Sequence, residues 1–259
     1  MGLCTYHRTD STTVSTVGVS LAKDYIQEKY PTLFVPRRYL KEGAHECIRP
    51  TRALDAERLK NMISLGLLRF PKRLAREHFQ LYDLIFKRFI ASQMREVKVL
   101  YQKFNVLIDG NQVSIENPVK IVSEGFNKVL PVRLENPVEE GEYAIEFARI
   151  LRLPAARLFS QGEVIALMRE KAIGRPSTYA KIISTLLERK YVIEQKNKLI
   201  STRLGFKVYM YLHEQFRNYV SEETTRRLES QMDSVEQGKA DYQQILNELY
   251  QEILEIKEI

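Results

Sequence analysis

Tyr6 lies two residues before Arg8 and four before Asp10, among the hydroxyls of Thr5, Thr9 and Ser11. A phenol with an ordinary pKa near ~10 is a poor nucleophile at neutral pH, so it acts as one only beside a cation or a base. Arg8 offers a planar fork of donors that fits a phosphate. The competing reading is an ordinary half-buried tyrosine with its hydroxyl bonded. Two further stretches carry groups of the same chemical kind: Ala44-His45-Glu46-Cys47-Ile48-Arg49-Pro50-Thr51 and Gly174-Arg175-Pro176-Ser177-Thr178-Tyr179-Ala180. Ser177 and Thr178 stand at the start of a predicted helix, where unpaired N–H groups favour an anion. His45 has a structural alternative, and Arg49 is read as an ion-pair residue rather than a catalytic one. Cys4 and Cys47 read as small packing groups. No C-x-x-C pair occurs and the four histidines have no metal-ligand spacing, so no metal site is expected and a reduced compartment fits.

The elements that position these groups are readable in outline. Ser15 caps a helix with Val17, Leu21, Tyr25 and Ile26 on its apolar side, ended by Pro31. A second helix follows Pro71, with Leu74, Leu81, Tyr82, Ile85, Phe86, Phe89 and Ile90 as its stripe. From Val97 the period shortens: Val97, Val99 and Tyr101 alternate with polar residues, and Asp109-Gly110-Asn111 is a hairpin turn between Val106-Leu107-Ile108 and Val113 with Ile115. Further strands are expected around residues 119–122, 129–132 and 143–147. In the last third, a helix over residues 163–171, a break at Gly174, a helix capped by Ser177 and a hairpin around Lys196-Asn197-Lys198 follow the order of a winged helix. Ile245, Leu249, Ile253 and Ile256 mark a closing helix. The fold class is α+β, mainly α, with a winged-helix-like helical domain at 1–92, a small β domain at 93–160 and a second winged-helix-like domain at 161–259.

Charge is unevenly placed. Residues 1–92 carry a net +7 (16 Lys/Arg against 9 Asp/Glu), residues 93–160 balance, residues 161–210 carry +6 and residues 211–259 carry −6. Two basic blocks suit a polyanion, because binding phosphates releases condensed counterions; solvated helix faces are the plainer alternative. No apolar run reaches the roughly 18 residues a membrane helix needs and no signal pattern opens the chain, which points to a cytoplasmic protein.

Thr5-Tyr6-His7-Arg8-Thr9-Asp10-Ser11 resembles the active-site motif of the type IA DNA topoisomerase family. The stretches at 44–51 and 174–180 resemble its second and third motifs in order, and Leu228-Glu229-Ser230-Gln231-Met232-Asp233-Ser234-Val235 resembles its closing segment. The resemblance implies that Tyr6 is the nucleophile, attacking one DNA strand to leave a 5′-phosphotyrosyl link, and that Arg8 orients the phosphate. It implies DNA contacts for Asp10, His45, Arg175, Ser177 and Thr178. His7 and Cys47 make the chain more like reverse gyrases than like relaxing enzymes. The family's Mg²⁺ is held by an acidic Toprim domain upstream of the tyrosine motif, so the chain is expected to be a split subunit or a fragment. It would be active only with a partner supplying that domain, and ATP would enter only through a helicase-like partner. Rival readings are a non-enzymatic winged-helix DNA-binding protein and a tyrosine recombinase, whose tyrosine lies near the carboxyl end.

Overall fold

In the computed structural model, which describes residues 2–40, 45–108, 110–143 and 157–257, Ser15 opens the first helix. Its hydroxyl accepts from the Gly18 N–H and satisfies one of the donors a helix start leaves unpaired. Helix α1 (Thr16–Lys29) ends at Tyr30, ahead of Pro31, which has no N–H for another turn. Leu21, Ala22, Tyr25 and Ile26 are buried, but Val17 is 65% exposed. At 3.6 residues per turn, Val17 falls roughly 110° from the centre of that stripe, and Gly18 falls close to it.

The chain divides into two compact units, Met1–Ala148 and Arg149–Ile259. In the first, α1 packs with α2 (Ala56–Ser64) and α3 (Arg76–Ser92) around Ile26, Leu59, Phe86 and Ile90. The Tyr25 ring meets Phe86 edge-on, with centroids 4.9 Å apart, an arrangement that suits the ring quadrupoles. Tyr25 Oη donates to Asp55 Oδ2 (3.1 Å), and Tyr82 Oη donates to the Leu54 carbonyl (2.6 Å). Burial, aided for Tyr25 by the Asp55 carboxylate, pushes both phenols well above their ordinary range. Asp55 also caps α2 through the Arg58 N–H, so one carboxylate fixes two helices. Leu81, expected on the apolar stripe of α3, is exposed because it lies roughly 125° from the centre set by Tyr82, Phe86, Phe89 and Ile90.

A strap formed by residues 33–38 closes the end of α3. The fully buried Gln93 side chain accepts from the Arg37 N–H (3.0 Å) and donates to the Arg37 carbonyl (2.8 Å). Arg37 Nη1 returns donors to the carbonyls of Met94 (2.7 Å) and Ser92 (3.2 Å), which the helix end would otherwise leave unpaired.

Strands β1 (Lys98–Ile108) and β2 (Asn111–Ser123) form one antiparallel hairpin, with Gly110 at φ +79° in its turn. The register slips where Tyr101 faces Pro118, a residue with no N–H for the ladder, and Tyr101 is exposed instead of continuing the face of Val97 and Val99. The strand expected at residues 129–132 is absent: a 3-10 turn (Phe126–Lys128) precedes it, and an unpaired segment follows it. That segment docks by side chain, the Gln102 amide bonding both the N–H (2.8 Å) and the carbonyl (2.7 Å) of Val138. Tyr143 is exposed and outside any strand, and residues 144–147 lie outside those described.

In the second unit, α4 (Gln161–Glu170) begins with a capping box between Ser160 and Glu163. Lys198, the Ser160 N–H and Arg157 together hold the Glu163 carboxyl down to about 2. Helix α5 (Tyr179–Glu188) is not capped by Ser177. The Arg175 carbonyl accepts from the N–H groups of Thr178 (2.9 Å) and Tyr179 (3.1 Å), and Thr178 Oγ1 accepts from the Arg175 N–H (2.9 Å). Pro176, with its fixed φ and missing donor, opens a turn over residues 176–178 that leads into the helix, so Ser177 lies inside that turn and Thr178 stands at the N-cap. Strands β3 (Val192–Gln195) and β4 (Lys198–Ser201) pair through Lys196 and Asn197, both at positive φ, the geometry of a tight two-residue hairpin turn. Helices α6 (Arg203–Gln215), α7 (Arg217–Val220), α8 (Glu222–Glu236) and α9 (Tyr242–Lys257) follow. Arg227 of α8 grips Glu252 of α9 at 2.7 and 2.8 Å. On α9, Ile253 is exposed rather than part of a buried stripe. Among the described residues no helix is long and apolar enough to cross a membrane.

Phe86→Ala, which empties the centre of the three-helix core, should lower unfolding free energy by about 3–5 kcal/mol, whereas Val17→Ala should change it by less than ~0.5 kcal/mol. Denaturant titration of the two variants checks the contrast; equal losses would mean that Val17 belongs to the core.

Candidate active site

Segments from opposite ends of the first 51 residues build the site. Cys4 forms an antiparallel bridge with Pro50; the Thr5 N–H donates to the Arg49 carbonyl (2.9 Å), and the Thr51 N–H donates to the Leu3 carbonyl (3.0 Å). Thr5 Oγ1 reinforces the join, donating to the Cys47 carbonyl (2.8 Å) and accepting from the Arg49 N–H (2.9 Å). Cys47 in turn bonds back to the Thr13 carbonyl (2.8 Å). Tyr6 is the next residue after this ladder. It is 50% exposed, with its ring 4.8 Å from that of His45 and tilted 40° to it; His7 lies at 5.9 Å on its other contact.

Arg8 and Asp10 follow on the loop to Ser15, both exposed, and Arg8 has no ion pair among the described residues. The hydroxyls of Thr9 and Ser11 shape that loop by accepting from the N–H groups of Ser11 (3.0 Å) and Thr13 (3.2 Å). The structure therefore brings Tyr6 against His45 and leaves Arg8 exposed on the loop that follows.

Underneath the ladder is a buried charge. Arg49, 6% exposed, donates from Nε and Nη2 to the two oxygens of Glu46, each at 2.8 Å, from Nη1 to the Pro50 carbonyl (3.0 Å) and from Nη2 to Ser15 Oγ (3.3 Å). A bidentate pair with its remaining donors answered is the form in which a guanidinium is tolerated inside a protein. Burial would raise the Glu46 carboxyl, but hydrogen bonds from Arg49 and Ser15 outweigh it and hold the group below its ordinary range. The guanidinium passes over α1 at Gly18, where an added Cβ would lie 2.9 Å from Arg49 Cδ and Nε. Arg49 is thus the ion-pair residue its sequence context suggested. The partly buried Cys4 and Cys47 have thiols pushed up by burial, as packing groups should.

Arg175, Ser177 and Thr178 belong to the second unit. Arg175 Nε donates to Glu229, and its Nη2 reaches the Glu229 carbonyl (2.9 Å) and Asp233 Oδ1 (2.8 Å). Burial alone would lower this guanidinium; Asp233 and Glu229 reverse that and raise it. The motif at 174–180 and the segment at 228–235 are therefore joined through one side chain. Thr178 is spent on the helix start, and Ser177 is exposed.

Sequence reasoning missed Gly18 and the second duty of Ser15. A lone glycine inside a helical pattern was the available signal, since it costs about 1 kcal/mol against alanine unless something needs the space. Among the described residues no group of three or more His, Cys, Asp or Glu is placed to hold a metal ion.

A family model described as DNA topoisomerase matches residues 1–247. A reverse gyrase of Pyrococcus horikoshii is 50% identical over 96% of this chain and 16% of that protein. Reverse gyrase 1 of Aquifex aeolicus is 48% identical over 99% of this chain and 22% of its own length. The full-length topoisomerase I of Thermotoga maritima superposes with a TM-score of 0.75 at 29% identity, covering 98% of this chain and 42% of that one. The chain thus spans less than a quarter of those two reverse gyrases.

Gly18→Ala, ordinarily a gain in a helix, should instead destabilise by about 1–3 kcal/mol through overpacking against Arg49. Glu46 has a lowered folded pKa, so its contribution is present above its ordinary carboxyl range and is lost as pH falls through the folded value. The stability gap between the parent and Glu46→Gln should therefore shrink from pH 7 toward pH 3. Thermal melts across that range test both points, and a gap that widens on acidification would contradict the assigned pairing.

Proposed function

Because the chain belongs to the type IA DNA topoisomerase family, we propose that it is the strand-cleaving part of a reverse gyrase-like enzyme, acting on DNA in the cytoplasm. The observation that carries this reading is Tyr6 itself: half exposed, set against His45, with unpaired Arg8 on the same loop. Tyr6 Oη attacks the phosphorus of one DNA strand and gives up its proton. A bond forms between Tyr6 Oη and phosphorus, the bond from phosphorus to the 3′ oxygen breaks, and that oxygen leaves as a 3′ hydroxyl after taking a proton. Arg8 binds the non-bridging oxygens as negative charge grows on them, an interaction stronger in the transition state than before it. His45 and Asp10 line the approach of the strand. One phosphodiester replaces another, so religation by the 3′ hydroxyl needs no ATP.

In the second unit the order α4, α5, β3, β4 supports a winged-helix reading, as it does for DNA contact by Ser177 and Thr178. Arg175 would reach a phosphate only by exchanging its carboxylate partners. The family's Mg²⁺ does not fit the residues described: Glu46 is committed to Arg49, and no ligand cluster accompanies Asp10. The ion, which offsets phosphate charge where it is bound, belongs in this proposal to a Toprim domain on a partner or another part of the protein. A helicase-like module would bring ATP.

Tyr6→Phe should abolish covalent capture of a labelled single-stranded oligonucleotide in the presence of the Toprim-bearing partner, while leaving binding within a few-fold. Denaturing gels with either end labelled decide the chemistry: a 5′ adduct is expected, a 3′ adduct would indicate a recombinase, and an adduct on the Phe variant would remove Tyr6 from the mechanism.

The chain alone should bind DNA in a salt-sensitive way without relaxing plasmid. Adding the acidic-domain partner should restore Mg²⁺-dependent strand passage, and a helicase-like ATPase should turn this into positive supercoiling. Plasmid topology assays at elevated temperature test the sequence of requirements; relaxation by the chain alone would contradict it.

A further inference from the structure

From Arg58 to Arg76 the chain carries six cations and not one carboxylate. Elsewhere in the first unit cations are commonly answered, as Arg49 is by Glu46, Lys87 by Asp83 and Lys128 by Glu124. Arg69, Lys72, Arg73 and Arg76 are all exposed and make no ion pair among the described residues. The same α2–α3 connection exposes Leu65 (72%) and Leu67 (66%) on either side of Gly66. Apolar surface set between unpaired cations is more than a solvated loop requires.

Beside it, the N-terminal halves of α2 and α3 border an open cleft of about 640 Å³, lined by Glu57, Lys60, Arg76, Phe79 and Gln80. Lys60 Nζ stands 5.5 Å from the centre of the Phe79 ring. The cleft's other carboxylate, Asp83, is neutralised by Lys87 at 2.6 Å. The volume lies in the range of sites that take one planar organic group.

We propose that this face is a second single-strand binding site, in which Arg69, Lys72 and Arg73 hold successive phosphates and the cleft takes one unstacked base against Phe79. Lys60 and Arg76 flank that base, Gln80 and Glu57 meet its polar edge, and Leu65 and Leu67 shield neighbouring bases. A base within a duplex has both faces stacked and cannot offer one to Phe79, so the site selects single strands. The occupant follows from the reading that this chain works on DNA; the surface itself does not involve Tyr6.

The test uses the full chain, fluorescently labelled single-stranded oligonucleotides and anisotropy across a salt series. Exchanging Arg69, Lys72 and Arg73 together for alanine should flatten the salt slope by about two units, from three lost phosphate contacts at ~0.7 each. Phe79 also touches the core, so Phe79→Leu, which keeps apolar bulk, replaces the alanine variant; it should weaken single-strand binding by roughly 5- to 100-fold while leaving the salt slope unchanged. Duplex of equal length should bind more weakly and respond little to Phe79→Leu. Unchanged slopes in the triple variant, or equal losses for duplex and single strand, would overturn the site. So would binding to phosphatidylserine vesicles that the triple variant loses while its DNA binding stays intact. Covalent capture by Tyr6 is scored separately: if the parent forms no adduct with its partner yet the triple variant still loses slope, the proposed transesterification fails and this surface stands.

Discussion

The buried guanidinium of Arg49 is the interaction on which the site depends. Its carbonyl and N–H pair with Thr5, placing Tyr6 at the end of a short ladder, while its side chain grips Glu46, the neighbour of His45. One residue therefore sets both the backbone that carries Tyr6 and the backbone that carries the His45 ring beside it. Ser15 and Gly18 tie the same guanidinium to the start of α1, so the helix is part of the mount. Such a pair contributes little net stability when complete and is costly when broken, because removing one partner strands the other. What it supplies is geometry.

The core follows the same pattern, with polar groups inside it each answered by a named partner. Asp55 caps α2 and accepts from Tyr25; Gln93 clamps the backbone of Arg37, whose side chain closes the end of α3. These bonds hold the loops at 33–38 and 51–55 against the helices, and the latter loop leads directly from the ladder that presents Tyr6. Rigid support of that kind is what the proposed attack by Tyr6 would need, since its rate would depend on in-line placement of the attacking oxygen.

The second unit is held differently. Among its described residues Ile183 stands out as deeply buried, and aromatic side chains of α6 such as Phe206, Tyr209 and Tyr211 are exposed. Helix caps and ion pairs carry more of the organisation: Ser160 with Glu163, Thr202 with Gly205, Ser221 with Thr224, and Arg175 with Glu229 and Asp233. The acidic character of residues 211–259 is thus partly local, since its carboxylates neutralise cations of α8 and of the 174–180 motif.

The sequence by itself determined the family and most of the element types. The family was legible because the ordered motifs around Tyr6, His45 and Arg175 leave a signature in residue type; Ser15, the β1–β2 turn and the Lys196-Asn197 tip were legible because caps and tight turns depend on local backbone and side-chain chemistry. Tertiary structure decided what local chemistry does not encode. Val17 and Leu81 are apolar at nearly helical spacing, yet their angular offset places them outside once the true neighbours are known. Ser177 looked like a cap, but it lies within a turn closed by the Arg175 carbonyl, and the helix begins two residues later at Tyr179. The run at 129–132 has strand-forming residues but no partner strand among the described residues, and a strand exists only where a ladder does. The placement of Arg49 over Gly18 required two segments distant in the chain to meet, and no periodicity in either one announces that contact.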